Sequence, residues 1–364
     1  MTTYLVPFTF DNGVELRNRY VMAPMTTYSA NPDDTVSDEE LAYYEERSYG
    51  VGAVITACTY VAASGKGFPG QFAGHTDAYI DSLRKVAQAI HKGGAKAILQ
   101  IYHGGRKSPR ELVPNGDVVS ASDTIAADGG KARAVTIEEI QEIVKAFGET
   151  TRRAIEAGFD GVEIHGANTY LLQQFFSGFT NKRTDEYGGT LEKRMRFPLE
   201  VVAEVNRVKQ QYADDSFIVG YRFSPEEPEE EGISLDDTVQ LVDRLANEPL
   251  GYLHISLGDF RSVAHRYAGE KENRIKIVHR VLDGRIPLIG VGSIYSKKDA
   301  LEAMETGAEL LALGRELLIE PHWVEKMTAG EEVITEMDMT QNNVIPGQMM
   351  RMMQSRPGWV PGVK

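Results

Sequence analysis

Eight short runs of β-branched and apolar residues recur along the chain, and between them the apolar positions change to the three-and-four spacing of amphipathic helices. The runs are "YVMAPMT" (20–26), "GAVITACTYV" (52–61), "KAILQIYH" (96–103), "GVEIHGA" (161–167), "FIVGYRFS" (217–224), "YLHISLG" (252–258), "IPLIGVGS" (286–293) and "LLALGRE" (310–316). Helix starts are marked: Ser37 with Glu40 and Thr136 with Glu139 have capping-box spacing, and Ile137, Ile140, Ile143, Val144 and Phe147 form one stripe. Eight successive βα units without a linker predict an α/β fold, a closed (β/α)8 TIM barrel, rather than a doubly wound sheet. We read one domain over 1–364, with the barrel at about 20–330 and a C-terminal tail at about 331–364.

Two insertions stand out. "FTFDNGVELRNR" carries Asp11-Asn12-Gly13 between strand-like flanks, which predicts an N-terminal β-hairpin closing the bottom of the barrel. After the third strand, "SPRELVPNGDVVSASDTIAADGGKA" is too long and polar for a plain connection and is expected to cap a site. The acidic run "PEEPEEEG" (225–232) reads as a solvated loop.

Side chains alternate along a strand, so one parity faces the barrel axis. Gln100 and Tyr102, Glu163 and His165, Arg222 and Ser224, and His254 and Ser256 all oppose apolar neighbours, and so share the axial phase near the C-terminal ends. A purely structural barrel would fill those layers with Val, Ile and Leu, whereas enzymes place their chemistry at that end. Glu163 lies deeper than His165 and reads as a buried, paired carboxylate. On the last two strands, Gly292-Ser293 and Gly314-Arg315 occupy the positions where barrels bind phosphate through backbone N–H groups and a cation.

Composition narrows the partners. The formal net charge of -14 disfavours nucleic acid or an anionic membrane surface and favours a small-molecule ligand. The single cysteine, Cys58, excludes an internal disulfide and any thiolate cluster, so no metal site is expected. The N-terminus lacks a basic signal-peptide region, and "VGAVITACTYVAA" is too short and Thr-rich to span a bilayer; a cytoplasmic protein is the expectation.

These residues resemble the old yellow enzyme family of FMN-dependent ene-reductases. The resemblance runs from "NRYVMAPMT" to "ALGRELLIEPHW", and its most specific pieces are "QIYHGGR" (100–106), "GVEIHGANTYLLQQF" (161–175) and "SGFTNKRTDEYGGTLEKRMRF" (177–197). It implies FMN as cofactor, with Pro24, Met25 and Thr26 lining the flavin, Gln100 at its pyrimidine edge and Arg222 near N1. Gly292, Ser293, Gly314 and Arg315 would hold the phosphate. Cys58 falls where relatives carry a small residue against the flavin, and reads as packing rather than as a nucleophile. In the family pattern His165 and Asn168 donate hydrogen bonds to the carbonyl of an α,β-unsaturated substrate. Hydride then passes from the flavin to the β-carbon, and Tyr170 delivers a proton to the α-carbon. Their spacing does not place the three on one helical face, so the turn after the strand must aim them.

Tyr28 and Tyr102 are expected to shape the substrate pocket. Tyr102 stands where one branch of the family has Trp and another Ala, and Tyr28 matches the thermophilic-like branch. Larger relatives continue into a cysteine-rich segment and a second dinucleotide domain, for which "MMRMMQSRPGWVPGVK" has no counterpart. Electrons are therefore expected from diffusing NADH or NADPH, using the same pocket in turn with an enone-type substrate. Reduction of nitro compounds or nitrate esters, and a non-catalytic FMN-binding sensor, are the alternatives. A hydrolase or aldolase would want rim carboxylates in pairs or a strand-end Lys, and neither is present. The terminal "RPGW" suits either a contact within a homo-oligomer or a plain tail.

Overall fold

The structure, a computed structural model, describes residues 3–269, 272–341 and 343–363. Eight parallel strands form its centre: β1 (Tyr20–Met22), β2 (Ala53–Ile55), β3 (Lys96–Tyr102), β4 (Gly161–Gly166), β5 (Ile218–Phe223), β6 (Tyr252–Ile255), β7 (Leu288–Val291) and β8 (Leu310–Leu313). Each pairs with the next in sequence, and β8 pairs with β1, so the sheet closes into the expected barrel. The strands are shorter than the apolar runs because the ends of the runs leave the ring, most of them as loops. The run 52–61 divides into β2 and a two-residue strand, Thr59–Tyr60, against the end of β3. The run 310–316 turns helical at Arg315.

Helices α1 (Asp38–Arg47), α2 (Ile80–Lys92), α3 (Ile137–Ala157), α4 (Leu171–Phe176), α5 (Leu191–Tyr212), α6 (Leu235–Leu245), α7 (Arg274–Leu282) and α8 (Lys297–Met304) follow the strands, with α9 (Arg315–Ile319) and α10 (Trp323–Ala329) after β8. Both capping boxes form. The Ser37 hydroxyl accepts the Glu40 N–H at 3.2 Å, and the Glu40 carboxylate accepts the Ser37 N–H at 3.0 Å. The α3 stripe is buried at Ile140, Ile143, Val144 and Phe147, but Ile137, at the first position of the helix, projects past the packed face and is 38 % exposed.

The bottom of the bore is apolar. Phe8–Thr9 pairs antiparallel with Glu15–Leu16 around Asp11-Asn12-Gly13, where Gly13 takes the left-handed φ of +84°. The hairpin packs Phe10 and Leu16 against Val21, Ile98, Ile218 and Leu310, the lowest axial side chains. Burying each such side chain contributes about 1.5–3 kcal/mol, so this layer anchors the ring beneath the functional layers.

The long segment after β3 carries its own small sheet, with Val119–Ser120 and Thr124–Ile125 flanking Lys131–Ala134. It braces α4: the Arg106 N–H and the Ser120 hydroxyl both donate to Gln174 Oε1 at 3.1 Å.

Two sequence expectations need correction. The acidic run is only partly solvated, since Glu226 pairs with Arg274 at 2.6 Å and accepts the Arg266 N–H. Buried Glu227 accepts from Gln173 at 2.6 Å and from the Ser177 hydroxyl, so fixed donors hold these two charges. Nor is the segment after 331 a plain tail. Helix α11 (Gly347–Gln354) buries Met349 and Met353, Val360 is buried beyond it, and Arg47 donates to the carbonyls of Asn343 and Val344. No helix among the described residues is long and apolar enough to cross a membrane.

Candidate active site

Above the apolar floor the bore becomes polar. The register places Glu163 opposite Gln100, and Arg222 between His165 and His254, so the axial parity inferred from alternation is the parity that meets inside the barrel. Glu163 is fully buried; it accepts from Gln100 Nε2 at 2.7 Å and is bonded to His254 Nδ1 at 2.9 Å. Burial opposes its ionisation, but His254, Arg222 and Gln100 more than offset that, and the carboxyl lies below its ordinary value. It is the paired buried carboxylate expected.

Arg222 is different. Its Nη2 donates to Ser256 Oγ at 3.2 Å, while Nε and Nη1 are buried without a partner. Leaving donors of a buried cation unmet costs free energy, so these groups suit a ligand acceptor above the layer.

The rim residues are aimed by backbone. β4 ends at Gly166, then Asn168 (φ +57°) and Thr169 (φ +64°) take left-handed conformations. Asn tolerates this region, but β-branched Thr169 does not, and such strain costs roughly 1–3 kcal/mol. The turn is held from both sides: the Thr169 N–H donates to Gln173 Oε1 at 2.9 Å, and Gln174 Nε2 donates to the Thr169 carbonyl at 2.8 Å. It sets Tyr170 at the start of α4 edge-on to His165, with ring centroids 5.1 Å apart, and to Tyr102 at 4.7 Å.

His165 Nδ1 accepts the Ala167 N–H at 3.3 Å, so the neutral ring carries its proton on Nε2. Burial, then the charge of Arg222, pushes this imidazole down to about 3. Tyr170 is shifted upward, by burial and then by Cys58 and Tyr28, and so holds its phenolic proton. Asn168 is exposed. Its N–H donates to Ser224 Oγ at 2.9 Å, and its Oδ1 accepts from the Ser256 hydroxyl at 2.8 Å.

Tyr102 is fully buried and its hydroxyl donates to Gln71 Oε1 at 3.0 Å, so its ring backs Tyr170 and His165 while its polar end points into the wall. Gly67 permits this, since a Cβ there would lie 2.1 Å from the Tyr102 oxygen. Tyr28, at φ +57°, sets its ring tilted to Phe68 with centroids 5.1 Å apart and, like Tyr170, packs against the cluster holding Cys58 and Tyr102. Cys58 is buried, and burial pushes its thiol up to about 12, which rules out a thiolate at neutral pH.

A cavity of about 330 Å³ joins Pro24, Met25 and Arg222 to Gly292, Ser293, Gly314 and Arg315. Thr26 follows Met25 but does not line this cavity, and the Gln100 amide nitrogen is engaged by Glu163. Gly292 has φ +118°, and a Cβ there would lie 2.8 Å from Leu257 O and Asp259 N. Arg315 Nη2 donates to Ser293 Oγ at 2.8 Å and Gly258 O at 3.0 Å, and Nη1 to Trp359 O at 3.2 Å.

The sequence reading missed Glu316 and Trp359, and it placed Ser256 on the axial face without giving it a role. The Glu316 carboxylate accepts the Gly314 N–H at 2.6 Å and the Ile294 N–H at 2.7 Å, tying the loops after β8 and β7 together. Burial pushes this carboxyl up to about 7 against its backbone donors. The shared parity with His254 located Ser256, but not its bonds to Arg222 and Asn168. Trp359 had no signal in the sequence, because its place depends on how the tail folds back.

A sequence profile of the NADH:flavin oxidoreductase / NADH oxidase family matches residues 5–333. The chain is 51 % identical over 362 residues to a "Probable NADH-dependent flavin oxidoreductase YqiG" of Bacillus subtilis, covering 98 % of this chain and 96 % of that protein. It is 42 % identical over 354 residues to an "NADH:fumarate oxidoreductase" of Klebsiella pneumoniae, covering 94 % of this chain but 37 % of that longer protein. Among solved structures it resembles "Morphinone reductase" with TM-score 0.78 and 27 % identity, over 93 % of this chain and 92 % of that one.

Proposed function

The chain belongs to the NADH:flavin oxidoreductase / NADH oxidase family, and from that premise we propose that it is an FMN-dependent reductase of the activated C=C bond of α,β-unsaturated carbonyl compounds. The residues present fit the cofactor. The unmet Arg222 donors offer a cation to a ring acceptor, and the Gly292 backbone, which no side chain could crowd, stands beside Ser293, Gly314 and Arg315 for a phosphate. Bound there, FMN supplies reversible two-electron hydride chemistry. Pro24, Met25 and Thr26 would line it, Gln100 would face its pyrimidine edge, and Cys58 would pack as a neutral thiol.

The remaining work falls to the chain's own side chains. His165 and Asn168 donate hydrogen bonds to the substrate carbonyl, polarising the alkene and stabilising the negative charge that grows on oxygen. Tyr170 gives its proton to the α-carbon, balancing the hydride received at the β-carbon. Tyr102 and Tyr28 wall the pocket. The observation that carries this reading is the state of His165: neutral, with Nδ1 occupied by a backbone N–H and Nε2 left as a donor beside the Tyr170 phenol. A protein that only stored flavin would have no use for a proton donor there.

We take NADH as the electron donor. The names of the 51 % and 42 % identical relatives support this, and two cations, Arg261 held by Asp299 and Glu302 and Lys66 held by Asp34, are already paired with carboxylates. Steady-state turnover of 2-cyclohexenone with NADH tests the reading. Nicotinamide and enone share one pocket, so double-reciprocal lines are expected to be parallel. Converging lines, or no turnover, would contradict it.

A further inference from the structure

Arginine has no acceptor, so the Arg222 Nη2 to Ser256 contact (3.2 Å) must use a lone pair of the serine oxygen. The single Ser256 proton is then free for its other neighbour, Asn168 Oδ1, at 2.8 Å. Ser256 has a second lone pair, but accepting the amide N–H as well would leave its own proton without an acceptor, so the chain is complete only with the Asn168 oxygen toward Ser256 and the NH2 group turned away from it. Among the described residues the Asn168 side chain has no other hydrogen bond. The Asn168 main chain is anchored by Ser224, but its side chain is exposed and in water would populate both amide flips. The flipped amide would set a carbonyl oxygen against the substrate's carbonyl oxygen, turning a donor into a repulsive neighbour. The two carbonyl donors are thus prepared differently: His165 has its proton position set by a backbone N–H, Asn168 by a side-chain relay from a buried cation.

We propose that Ser256 is a positioning residue that relays the polarity of Arg222 to Asn168 and so makes that amide a hydrogen-bond donor to the substrate carbonyl. The proposal rests on the reading of Asn168 given above. Orienting groups behind the contacting ones commonly carry such roles, because a contacting group with two low-energy orientations loses part of its effect.

The test is a titration of FMN-loaded protein with 4-hydroxybenzaldehyde, whose phenolate mimics the oxyanion and gives a long-wavelength charge-transfer band with flavin. Ser256→Ala is expected to weaken this ligand about 10-fold, Ser256→Thr to restore affinity to within about 2-fold, and Ser256→Ala in an Asn168→Ala background to cost nothing further. FMN content of each variant, measured after gel filtration, separates this effect from loss of cofactor. Unchanged affinity in Ser256→Ala, no recovery in Ser256→Thr, or the same loss with and without Asn168 would overturn the relay. Absence of the band in the unmodified protein would instead overturn the reading of Asn168 itself, and the relay with it.

Discussion

On the β3–β4 side of the barrel mouth side chains meet side chains: Tyr102, His165 and Tyr170 contact one another edge-on or tilted, with centroids 4.7–6.0 Å apart. On the β7–β8 side the contacts run mainly to backbone, with Arg315 donating to the carbonyls of Gly258 and Trp359 and Glu316 accepting the N–H groups of Gly314 and Ile294. The first wall depends on which residues are present, because donor, phenol and ring are each chemically particular. The second depends on where the main chain runs, because amides are common to all residues and only their convergence is special. Changes to the first should therefore strike turnover, and changes to the second cofactor retention.

Tyr170→Phe separates the two sides most sharply. Loss of a positioned acid should slow enone reduction by about 10²–10⁴-fold, with reduction of the bound flavin by NADH nearly unchanged in stopped flow. Equal losses in both half-reactions would move Tyr170 out of the donor role. His165→Ala comes next: removal of one oxyanion donor is expected to lower kcat for 2-cyclohexenone by about 10²–10³-fold while leaving the purified protein yellow.

Arg315→Ala should reverse that pattern. Loss of a charge-assisted contact of about 1.5–3 kcal/mol weakens FMN roughly 10–100-fold, read as cofactor lost on gel filtration, while activity per bound flavin stays close to the original. The smallest effect is in pH. Burial raises the Glu316 carboxyl from 4.5 to about 7, so the folded chain holds this proton more tightly than the unfolded chain. Its contribution is present below about 4.5 and lost as pH rises through about 7, by roughly 1–3 kcal/mol. Melting temperature should fall accordingly from pH 5 to 8, and Glu316→Gln should flatten the trend. His165, already neutral far below this range, should add no titration to phenolic-ligand affinity over the same interval.

Much of this division was readable in the chain. Parity alone placed Gln100, Glu163, Arg222 and His254 on the axial face, because a two-residue period survives any uncertainty about strand ends. Gly292 was legible because only glycine suits its φ and its close neighbours. Strand ends were not, since Ala23 beyond β1 and Ala57 beyond β2 are buried outside the strands as well as they would be within them. Glu226 and Glu227 looked solvated because Arg274 and Gln173, the side chains that neutralise or bond them, are distant in sequence. Tyr102 was expected to shape the substrate pocket, but that Gln71 draws its hydroxyl into the wall is again a contact that no local pattern announces. The tail's contribution of Trp359 is of the same kind, a product of packing rather than of any motif.

The most direct measurement is a single turnover. The protein, reconstituted with FMN and bleached anaerobically with one equivalent of NADH, is mixed with 2-cyclohexenone while the flavin band and the product are followed. Return of the oxidised flavin spectrum with one equivalent of cyclohexanone is the expected result. A flavin that stays bleached until oxygen is admitted would contradict enone reduction at this site.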